Sequence, residues 1–515
     1  MTNNEPIEYS LGEFQLLSDL IRSHSLSMPG KAALIVDDRV VNYSELDTIL
    51  DRLAASFQRD GMKPGEVISI CGYNSIEYAC LFLAALRVGI VTAPIAPSVT
   101  PKQFTSMLSD SGARFLFADD AAEKLLTTLP LSVECISLNP CIPGRSLEDW
   151  MAPEGATPNS VTISPDAPFN IIYSSGTTGT PKGISQSHRM RWAHIVRGAV
   201  YEFDSSSRTL SSTPLYSNTT LVLFFPTMAF GGTVTLMKKF NAEKYLEIAA
   251  SQKITHTMLV PIQYQRIMAV NNFSSYDLSA FRMKLCTSAP FHASLKQDVL
   301  NRWPGGLIEI YGMTEGGGAC VLYAHGHPDK LHTVGKPAEG HEVRLLLEDD
   351  QEAASGQPGE VVGHSPSMMI GYHGQAEKTK EIEWLSPDGK RFFRSGDIGV
   401  FDSEGFLSLV DRKKDMIISG GFNIYPSDLE EILRQQEAVI GVAVIGVPSV
   451  KWGETPVAYV EKHSNFKGTE QDILNMANEK LGSVQRISDL RFISELPRSS
   501  IGKVLKRDLI KKYCE

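Results

Sequence analysis

Residues 67–119 read VISICGYNSIEYACLFLAALRVGIVTAPIAPSVTPKQFTSMLSDSGARFLFAD, and they alternate short apolar runs with helical segments. The runs at 67–72, 89–95 and 113–119 have the length of buried strands, and residues 76–87 have the length of a helix. Strands that alternate with helices predict a mainly parallel sheet with helices on its faces. The same pattern continues at 169–175, 256–262, 283–289 and 307–312. The sequence therefore predicts a large domain of layered α/β sheets.

The length and composition exclude several classes of protein. A chain of 515 residues exceeds one ordinary core and predicts about three domains or subdomains. With 42% hydrophobic and 21% charged residues, the chain is neither disordered nor a coiled-coil rod. A net charge of −10 argues against nucleic acid as a partner. Seven cysteines without a CxxC pair favour a reducing compartment, so a cytoplasmic location is predicted.

One uncharged stretch, residues 219–237, imitates a membrane span. A spanning helix needs about 20 mainly apolar residues. Pro226, Gly231 and Gly232 interrupt this stretch, which predicts a buried helix, a turn and a strand instead. The first residues, MTNNEPIEYSLGEF, also lack the basic and apolar regions of a signal peptide. We therefore expect no integral membrane association.

The predicted secondary structure changes after the α/β part of the chain. From about residue 335 to 411 it consists of strands and turns, which predicts a mostly antiparallel β subdomain. A charged cluster at 411–415 follows, and residues 412–515 mix helices with strands. The fold class is therefore α/β, with a β subdomain in a large N-terminal domain (1–411) and a small α+β C-terminal domain (412–515). The predicted C-terminal elements are a helix opened by Pro426, a strand at 442–447, a helix at about 471–481, a strand near 490–496 and a basic helix at 504–513.

Residues 173–183 read YSSGTTGTPKG and continue a predicted strand. Glycines let the backbone fold closely around an anion, while hydroxyls, N–H groups and Lys182 can contact phosphate oxygens. The pattern is not a Walker A loop, because Pro181-Lys182-Gly183 breaks the required Gly-Lys-Ser/Thr. A flexible linker would explain the composition, but not the strand before it or the Pro-Lys-Gly at its end. The stretch predicts a phosphate-binding loop.

This loop and five further motifs resemble, in order, those of the adenylate-forming superfamily, which includes acyl-CoA and aryl-CoA synthetases, peptide-synthetase adenylation domains and firefly luciferase. The further motifs are YSEL (43–46), YGMTE (311–315), RSGD (394–397), DRKKDMIISGGFNIYP (411–426) and PRSSIGK (497–503). The resemblance implies a two-step reaction. A carboxylate oxygen attacks the α-phosphate of ATP and releases pyrophosphate. A thiol then attacks the acyl-adenylate and releases AMP.

The resemblance also implies roles for single residues in an N-terminal AMP-binding domain. Lys503 would bridge the carboxylate and the α-phosphate, Glu315 would hold Mg²⁺, and Thr314 would contact the phosphates. Tyr311 would stack on adenine, and Asp397 would accept the ribose hydroxyls. The full set of implied ATP-binding residues is Ser174, Ser175, Gly176, Thr177, Thr178, Gly179, Lys182, Tyr311, Asp397 and Arg412. The neighbours of Lys503, Lys506 and Arg507, are interpreted as solvated surface residues.

The second step needs a different arrangement of the same site. The resemblance implies that the C-terminal domain is a mobile lid that rotates about Lys414. Gly420, Gly421 and Phe422 would then line the tunnel for coenzyme A, since glycines permit the close approach of a thiol.

The acid is the least determined part of the prediction. The implied pocket residues are Tyr216, Ser217, Asn218, Ser288, Ala289, Gly312, Met313, Gly316 and Gly317. Many acyl-CoA synthetases carry histidine where this chain has Ser217, and aryl-acid-activating relatives use asparagine at the place of Asn218. Glycines 316–318 would leave room for a bulky acid. Residues 213–220 contain no acidic side chain that could pair with the α-ammonium group of an amino acid, so amino acid substrates are disfavoured.

The acid therefore stays open between aryl, alicyclic and medium- or long-chain acyl acids. Coenzyme A is the expected acceptor, because no carrier domain follows Glu515. A ligase that loads a carrier protein and a non-catalytic nucleotide-binding relative are the alternatives. A homodimer is left open.

Overall fold

The computed structural model describes residues 13–127, 133–139, 144–174, 182–412, 414–419, 422–449, 452–481, 485–499 and 502–514. The chain divides into two compact units. Unit 1 comprises Met1–Gly317, Leu322–Leu331 and Ser365–Glu383, and unit 2 comprises Gly318–Val321, His332–His364 and Trp384–Glu515.

The described helices are α1 (Leu17–Ser27), α2 (Tyr43–Arg59), α3 (Ile76–Arg87), α4 (Pro101–Ser111), α5 (Glu123–Leu126), α6 (Leu147–Trp150), α7 (His188–Val196), α8 (Asn218–Ala229), α9 (Ala242–Ser251), α10 (Pro261–Met268), α11 (Ala293–Arg302), α12 (Ala376–Glu381), α13 (Pro426–Arg434), α14 (Glu470–Glu479) and α15 (Lys506–Cys514).

The described strands are β1 (Ala32–Val36), β2 (Arg39–Asn42), β3 (Val67–Cys71), β4 (Val91–Ile95), β5 (Phe115–Ala118), β6 (Glu134–Ser137), β7 (Arg145–Ser146), β8 (Pro168–Ser174), β9 (Lys182–Ser187), β10 (Arg208–Ser211), β11 (Thr233–Leu236), β12 (His256–Leu259), β13 (Met283–Cys286), β14 (Gly306–Tyr311), β15 (Cys320–Tyr323), β16 (Lys336–Pro337), β17 (Glu342–Leu346), β18 (Gly359–His364), β19 (Gly371–Tyr372), β20 (Glu383–Leu385), β21 (Arg391–Phe401), β22 (Leu407–Arg412), β23 (Ile417–Ser419), β24 (Phe422–Ile424), β25 (Val439–Ser449), β26 (Gly453–Lys462) and β27 (Asp489–Phe492).

Unit 1 contains two mainly parallel sheets. The first has the strand order β19-β9-β8-β4-β3-β5-β6-β7, and its strands pair in parallel from β8 to β7. The second includes the order β14-β13-β12-β10-β11-β1-β2, in parallel except for the last pair. Carboxyl ends of parallel strands meet at one edge of a sheet, where α/β proteins build their sites. The predicted layered α/β domain is confirmed.

Helices of unit 1 share one hydrophobic core with strands of both sheets. Leu53 and Phe57 of α2, Phe82 of α3 and Phe225 of α8 belong to this core. Helix α3 is buried on nearly all its faces, as expected for a helix that is apolar all round. The YSEL motif contributes the start of α2, where Asn42 and Glu45 form a capping box.

The uncharged stretch 219–237 forms the buried helix α8 and the strand β11, as predicted. In the part of the chain that the structure describes, no helix is long and apolar enough to cross a membrane. One predicted strand, 256–262, was wrong at its end. Strand β12 stops at Leu259, and Pro261 begins α10. Proline suits the first turn of a helix but cannot donate a hydrogen bond to a sheet.

Unit 2 contains two smaller sheets. One has the order β17-β18-β21-β20 with β22 beside β21, and the pairs β17-β18, β18-β21 and β21-β22 are antiparallel, which confirms the predicted β subdomain. The other has the order β24-β23-β26-β25 with β27 parallel to β26, and with helices α13, α14 and α15 it forms the predicted α+β part. The predicted boundary at residue 411 stays a prediction.

Lys506 is not the solvated lysine that the sequence analysis expected. Its Nζ lies 2.9 Å from Oε1 of Glu430, and its side chain is only 21% exposed, because α15 packs against β25. Glu430 also accepts hydrogen bonds of 2.9 Å from the Val444 N–H and from Nη2 of Arg434. Burial alone would raise the pKa of Glu430, but Lys506 and Arg434 outweigh burial, so this pKa is lower than usual.

The Glu430 ion pair predicts a pH-dependent stability. A carboxyl whose pKa is depressed on folding stabilises the fold above its unfolded pKa, about 4.5 here, and this contribution is lost as the pH falls through the folded pKa. We expect Glu430→Gln to lower the thermal midpoint by roughly 3–10 °C at pH 7. The difference from wild type should vanish at the acidic end of a pH series of thermal melts.

Glu431→Gln is the matched control, because Glu431 is 60% exposed and its Oε2 lies 3.7 Å from Nη1 of Arg434. A pH-independent difference between Glu430→Gln and wild type would contradict this account of the pair.

Candidate active site

The YGMTE motif forms the end of β14 and the turn that follows it. Tyr311 is the last residue of β14, and the N–H of Gly316 donates to the carbonyl of Met313 at 3.0 Å. Gly316 has a φ of +84°, and a Cβ there would lie 1.9 Å from the Ser367 carbonyl oxygen. Glycine is therefore required by the backbone of residues 365–372. The prediction that Gly316 leaves room for an acid was wrong, because backbone fills that space.

Glu315 and Lys182 lie against the same tyrosine. The Tyr372 hydroxyl donates to Oε1 of Glu315 at 2.8 Å, and Nζ of Lys182 lies 4.8 Å from the centre of the Tyr372 ring. Burial, followed by the Glu315 charge, raises the pKa of Tyr372 far above its usual value, so the hydroxyl keeps its proton. The structure therefore brings together a carboxylate and an ammonium group that the sequence analysis assigned to Mg²⁺ and phosphate.

The predicted phosphate-binding loop connects β8 to β9. Its ends are fixed, because Ser174 and Lys182 are register partners of these antiparallel strands. The Tyr173 hydroxyl donates to Oδ2 of Asp110 at 2.8 Å, which ties the end of β8 to α4. The predicted contacts Ser175, Gly176, Thr177, Thr178 and Gly179 lie outside the described residues.

The predicted acid pocket begins at the first turn of α8. Ser217 is buried and caps this helix, accepting a 3.3 Å hydrogen bond from the Thr219 N–H. The hydroxyl oxygens of Thr219 and Ser288 are 2.7 Å apart, which joins α8 to the turn after β13. Oδ1 of Asn218 is buried and has no hydrogen-bond partner among the described residues. The structure thus brings Ser217, Asn218 and Ser288 together.

The remaining pocket residues stand at the same sheet edge. Met313 and Gly317 follow β14, Ala289 follows β13, and Tyr216 precedes α8. Gly312 is exposed, Gly317 is buried, and the other three are half-buried. Side chains that follow neighbouring parallel strands are placed to line one crevice.

Unit 2 carries the residues assigned to the ribose. Asp397 and Arg412 are register partners on β21 and β22, and Nε of Arg412 lies 2.8 Å from Oδ1 of Asp397. The Asp397 side chain is 11% exposed and that of Arg412 is 43% exposed. This ion pair orients the carboxylate that was predicted to accept the ribose hydroxyls.

Lys503 lies at the base of a turn of unit 2. The Ser499 N–H donates to the Lys503 carbonyl at 2.8 Å, and Arg498 pairs with Val504 as an antiparallel bridge. Gly502 has a φ of +79°, a conformation that favours glycine. The turn presents the Lys503 side chain in an exposed position.

The predicted hinge follows β22. Lys414 is exposed, and just before it the Asp411 carboxylate accepts a 2.9 Å hydrogen bond from the Ser427 N–H in the first turn of α13. A carboxylate is favourable at a helix N-terminus. Of the predicted coenzyme A tunnel, Gly420 and Gly421 lie outside the described residues, and Phe422 begins β24.

The donor set fits Mg²⁺ bound together with a nucleotide. Within the described residues, no group of three or more His, Cys, Asp and Glu side chains could hold a metal ion. Mg²⁺ at phosphate sites takes one or two carboxylates and completes its shell with phosphate oxygens and waters. Glu315, oriented through Oε1 by Tyr372, supplies such a carboxylate.

Two residues of this site were missed by the sequence analysis. Tyr372 follows Glu315 by 57 residues and reaches it from the two-residue strand β19. Gln186 on β9 donates from Nε2 to the Thr314 carbonyl at 2.7 Å. Neither residue stands in a pattern that indicates chemistry, so only the fold reveals them.

Comparisons with known proteins show to which family the chain is similar. Residues 22–373 match the family described as AMP-binding enzyme, and residues 428–503 match the AMP-binding enzyme C-terminal domain. An indoleacetate–CoA ligase from Aromatoleum aromaticum is 29% identical over 508 residues, which cover 96% of this chain and 97% of that protein. A feruloyl-CoA synthase from Amycolatopsis sp is 31% identical over 482 residues, 92% of this chain and 94% of that protein.

A solved structure also resembles the chain over nearly its full length. ATP-bound MatB from Rhodopseudomonas palustris gives a TM-score of 0.86 at 26% identity, covering 96% of this chain and 99% of that one. The matched family spans more than half of the chain, and the six motifs fall within the two matched regions or between them. The chain therefore belongs to the AMP-binding enzyme family of the adenylate-forming superfamily.

Proposed function

We propose that the chain is an acid–thiol ligase, an acyl-CoA synthetase that forms AMP. It adenylates an organic acid with ATP, releases pyrophosphate, and transfers the acyl group to coenzyme A with release of AMP. The observation that carries the proposal is the contact of Lys182 and Glu315 with Tyr372 at the carboxyl edge of the sheets. Adenylation brings two anions together, and their repulsion adds to the barrier of the reaction. Fixed groups of opposite charge to these anions lower the barrier.

Each polar group has a place in the first step. Lys182 lies where its ammonium group can bind phosphate oxygens, and the Asp397–Arg412 pair presents a carboxylate for the ribose hydroxyls. Lys503 stabilises the negative charge shared by the attacking carboxylate and the α-phosphate. Bound Mg²⁺ supplies charge neutralisation on the phosphates, and Glu315 would hold it. The prediction of a cytoplasmic location rests on the sequence alone.

The acid is best matched by an aryl acid that carries a hydrogen-bond donor. Oδ1 of Asn218 is a buried acceptor without a partner among the described residues, and leaving such an acceptor unpaired costs about 1–3 kcal/mol. A hydroxyl or ring N–H on the acid would satisfy it. The names of two relatives, an indoleacetate–CoA ligase and a feruloyl-CoA synthase, support an aromatic acid.

A panel of acids tests this substrate class. We expect hydroxylated or N–H-bearing aryl acids to give kcat/KM values about tenfold or more above those of matched aryl acids without a donor. Alicyclic and fatty acids should be poorer substrates. Asn218→Ala should remove most of the difference between donor-bearing and donor-free acids, as measured by acid-dependent pyrophosphate release. An unchanged preference in this variant would contradict the role of Asn218.

The same panel separates the alternatives, when each acid is assayed with and without coenzyme A. Turnover that stops at one equivalent of adenylate in the presence of coenzyme A would favour a ligase that loads a carrier protein. Silence across the whole panel would favour a non-catalytic nucleotide-binding protein.

Lys503→Ala tests the division of labour between the two steps. The variant should lose adenylate formation by about a hundredfold or more, because a charge that acts in the transition state is removed. Thioester formation from a synthetic acyl-adenylate should be preserved. Lys467→Ala, at an exposed lysine of the same unit, is the control. An equal loss in both half-reactions would contradict a mobile lid that presents Lys503 in the first step alone.

A further inference from the structure

A guanidinium group is buried against side chains of β8 and β9. Arg191 on α7 is 1% exposed, and its Cζ lies 5.9 Å from the ring centre of Phe169 and 5.7 Å from that of Phe225. Its hydrogen-bond partners among the described residues are amides: Nε donates to Oδ1 of Asn170 at 2.9 Å, and Nη2 donates to Oε1 of Gln186. Burial lowers the pKa of Arg191 to about 9.

These contacts fix the direction of the Gln186 amide. Its Oε1 accepts from Arg191 and, at 3.1 Å, from Nδ2 of Asn170. Its Nε2 therefore faces away from both donors and donates to the carbonyl of Thr314 at 2.7 Å. Reversal of the Gln186 amide would place its donor against the donors of Arg191 and Asn170. Nη1 of Arg191 is also buried, and it has no hydrogen-bond partner among the described residues.

The network joins the elements on which the predicted phosphate chemistry depends. Asn170 and Gln186 are register partners on β8 and β9, the strands that flank residues 175–181. Thr314 belongs to the turn after β14 and precedes Glu315. The hydrogen bond from Gln186 is thus a direct link between the stems of the loop and the turn that carries Thr314 and Glu315.

Core packing alone does not explain these residues. A buried charge is costly, and well-packed apolar side chains would stabilise the same place equally well or better. The polar side chains of Arg191 and Asn170 hold the Gln186 amide in a single orientation, with Nε2 toward the Thr314 carbonyl. Loss of the Gln186 Nε2 donor would remove the hydrogen bond to the Thr314 carbonyl. Arg191 and Asn170 would be unaffected, because they need only an acceptor at the place of Gln186 Oε1.

We propose that Gln186 is a positioning residue, held by Arg191 and Asn170, that fixes the Thr314–Glu315 turn relative to the strands of the phosphate-binding loop. This inference rests on the proposed roles of Thr314 and Glu315 in binding phosphate and Mg²⁺. Because the link is to a backbone carbonyl, Gln186 acts through the turn and not by touching a substrate.

Gln186→Glu separates positioning from stability. The carboxylate keeps both acceptor contacts and forms an ion pair with Arg191, so the thermal midpoint should equal or exceed that of wild type. The donor to Thr314 is lost and is replaced by a repelling oxygen. We expect kcat for acid-dependent pyrophosphate release to fall about tenfold or more, with higher half-saturating concentrations of Mg²⁺ and ATP and an unchanged KM for the acid.

Gln252→Glu is the matched control, since the described contacts of that side chain use only its amide oxygen, which accepts from Thr235 at 2.6 Å. Should Gln186→Glu fold poorly, the triple variant Asn170→Val, Gln186→Leu, Arg191→Leu replaces the whole network with apolar groups and should show the same kinetic loss.

A folded variant with wild-type kcat and Mg²⁺ dependence would overturn the inference, as would activity that falls only in proportion to a lowered thermal midpoint. Glu315→Ala, assayed in parallel, keeps the two proposals apart. An active Glu315→Ala would refute the assignment of the site itself. An inactive Glu315→Ala beside a fully active Gln186→Glu would refute only the positioning role.

Discussion

In the reaction that we propose, the short turn after β14 holds the Glu315 carboxylate and the Thr314 hydroxyl in fixed positions where two anions react. Charged groups stabilise a transition state only if they are already oriented, because reorganising them would consume the energy they supply. Contacts from two elements of unit 1 hold this turn. Gln186 of β9 donates to the Thr314 carbonyl, and Tyr372 of β19 donates to the Glu315 side chain.

The backbone adds a further contact. The N–H of Met369 donates to the carbonyl of Glu315 at 2.8 Å, and Gly316 accommodates the Ser367 carbonyl.

The net charge of the chain, −10, contributes nothing favourable toward anionic ligands. In the proposed function, the binding of these ligands depends on local groups, such as Lys182 and the Arg412 that pairs with Asp397.

The sequence predicted those parts of the fold and site that local pattern determines. The apolar runs identified seven strands of the two sheets, namely β3, β4, β5, β8, β12, β13 and β14. The breaks at Pro226 and Gly231 identified the buried helix and strand in the uncharged stretch. Asp397 and Arg412 were each recognised from a motif, and their pairing follows from the antiparallel register of β21 and β22.

Contacts that only the fold creates escaped the sequence analysis. Nothing near Tyr372 indicates that it reaches Glu315, because a two-residue strand decides this. The exposure of Lys506 was predicted wrongly, although the sequence held a signal. The apolar Leu509 stands three residues later, on the same face of α15, and it is fully buried in the structure. The three glycines after Glu315 were interpreted by volume alone, whereas the positive φ of Gly316 and its contact with Ser367 explain that glycine.

The orientation of Glu315 by Tyr372 is the claim on which the account depends, and Tyr372→Phe tests it most directly. This variant keeps the aromatic ring over Lys182 and removes only the hydroxyl that donates to Glu315. The control is Tyr78→Phe, at a buried hydroxyl without a partner among the described residues. The measurement is acid-dependent pyrophosphate release as a function of Mg²⁺ concentration. The account predicts that Tyr372→Phe lowers kcat and raises the half-saturating Mg²⁺ concentration, each by about fivefold or more. A folded Tyr372→Phe enzyme with the Mg²⁺ dependence and kcat of wild type would contradict it.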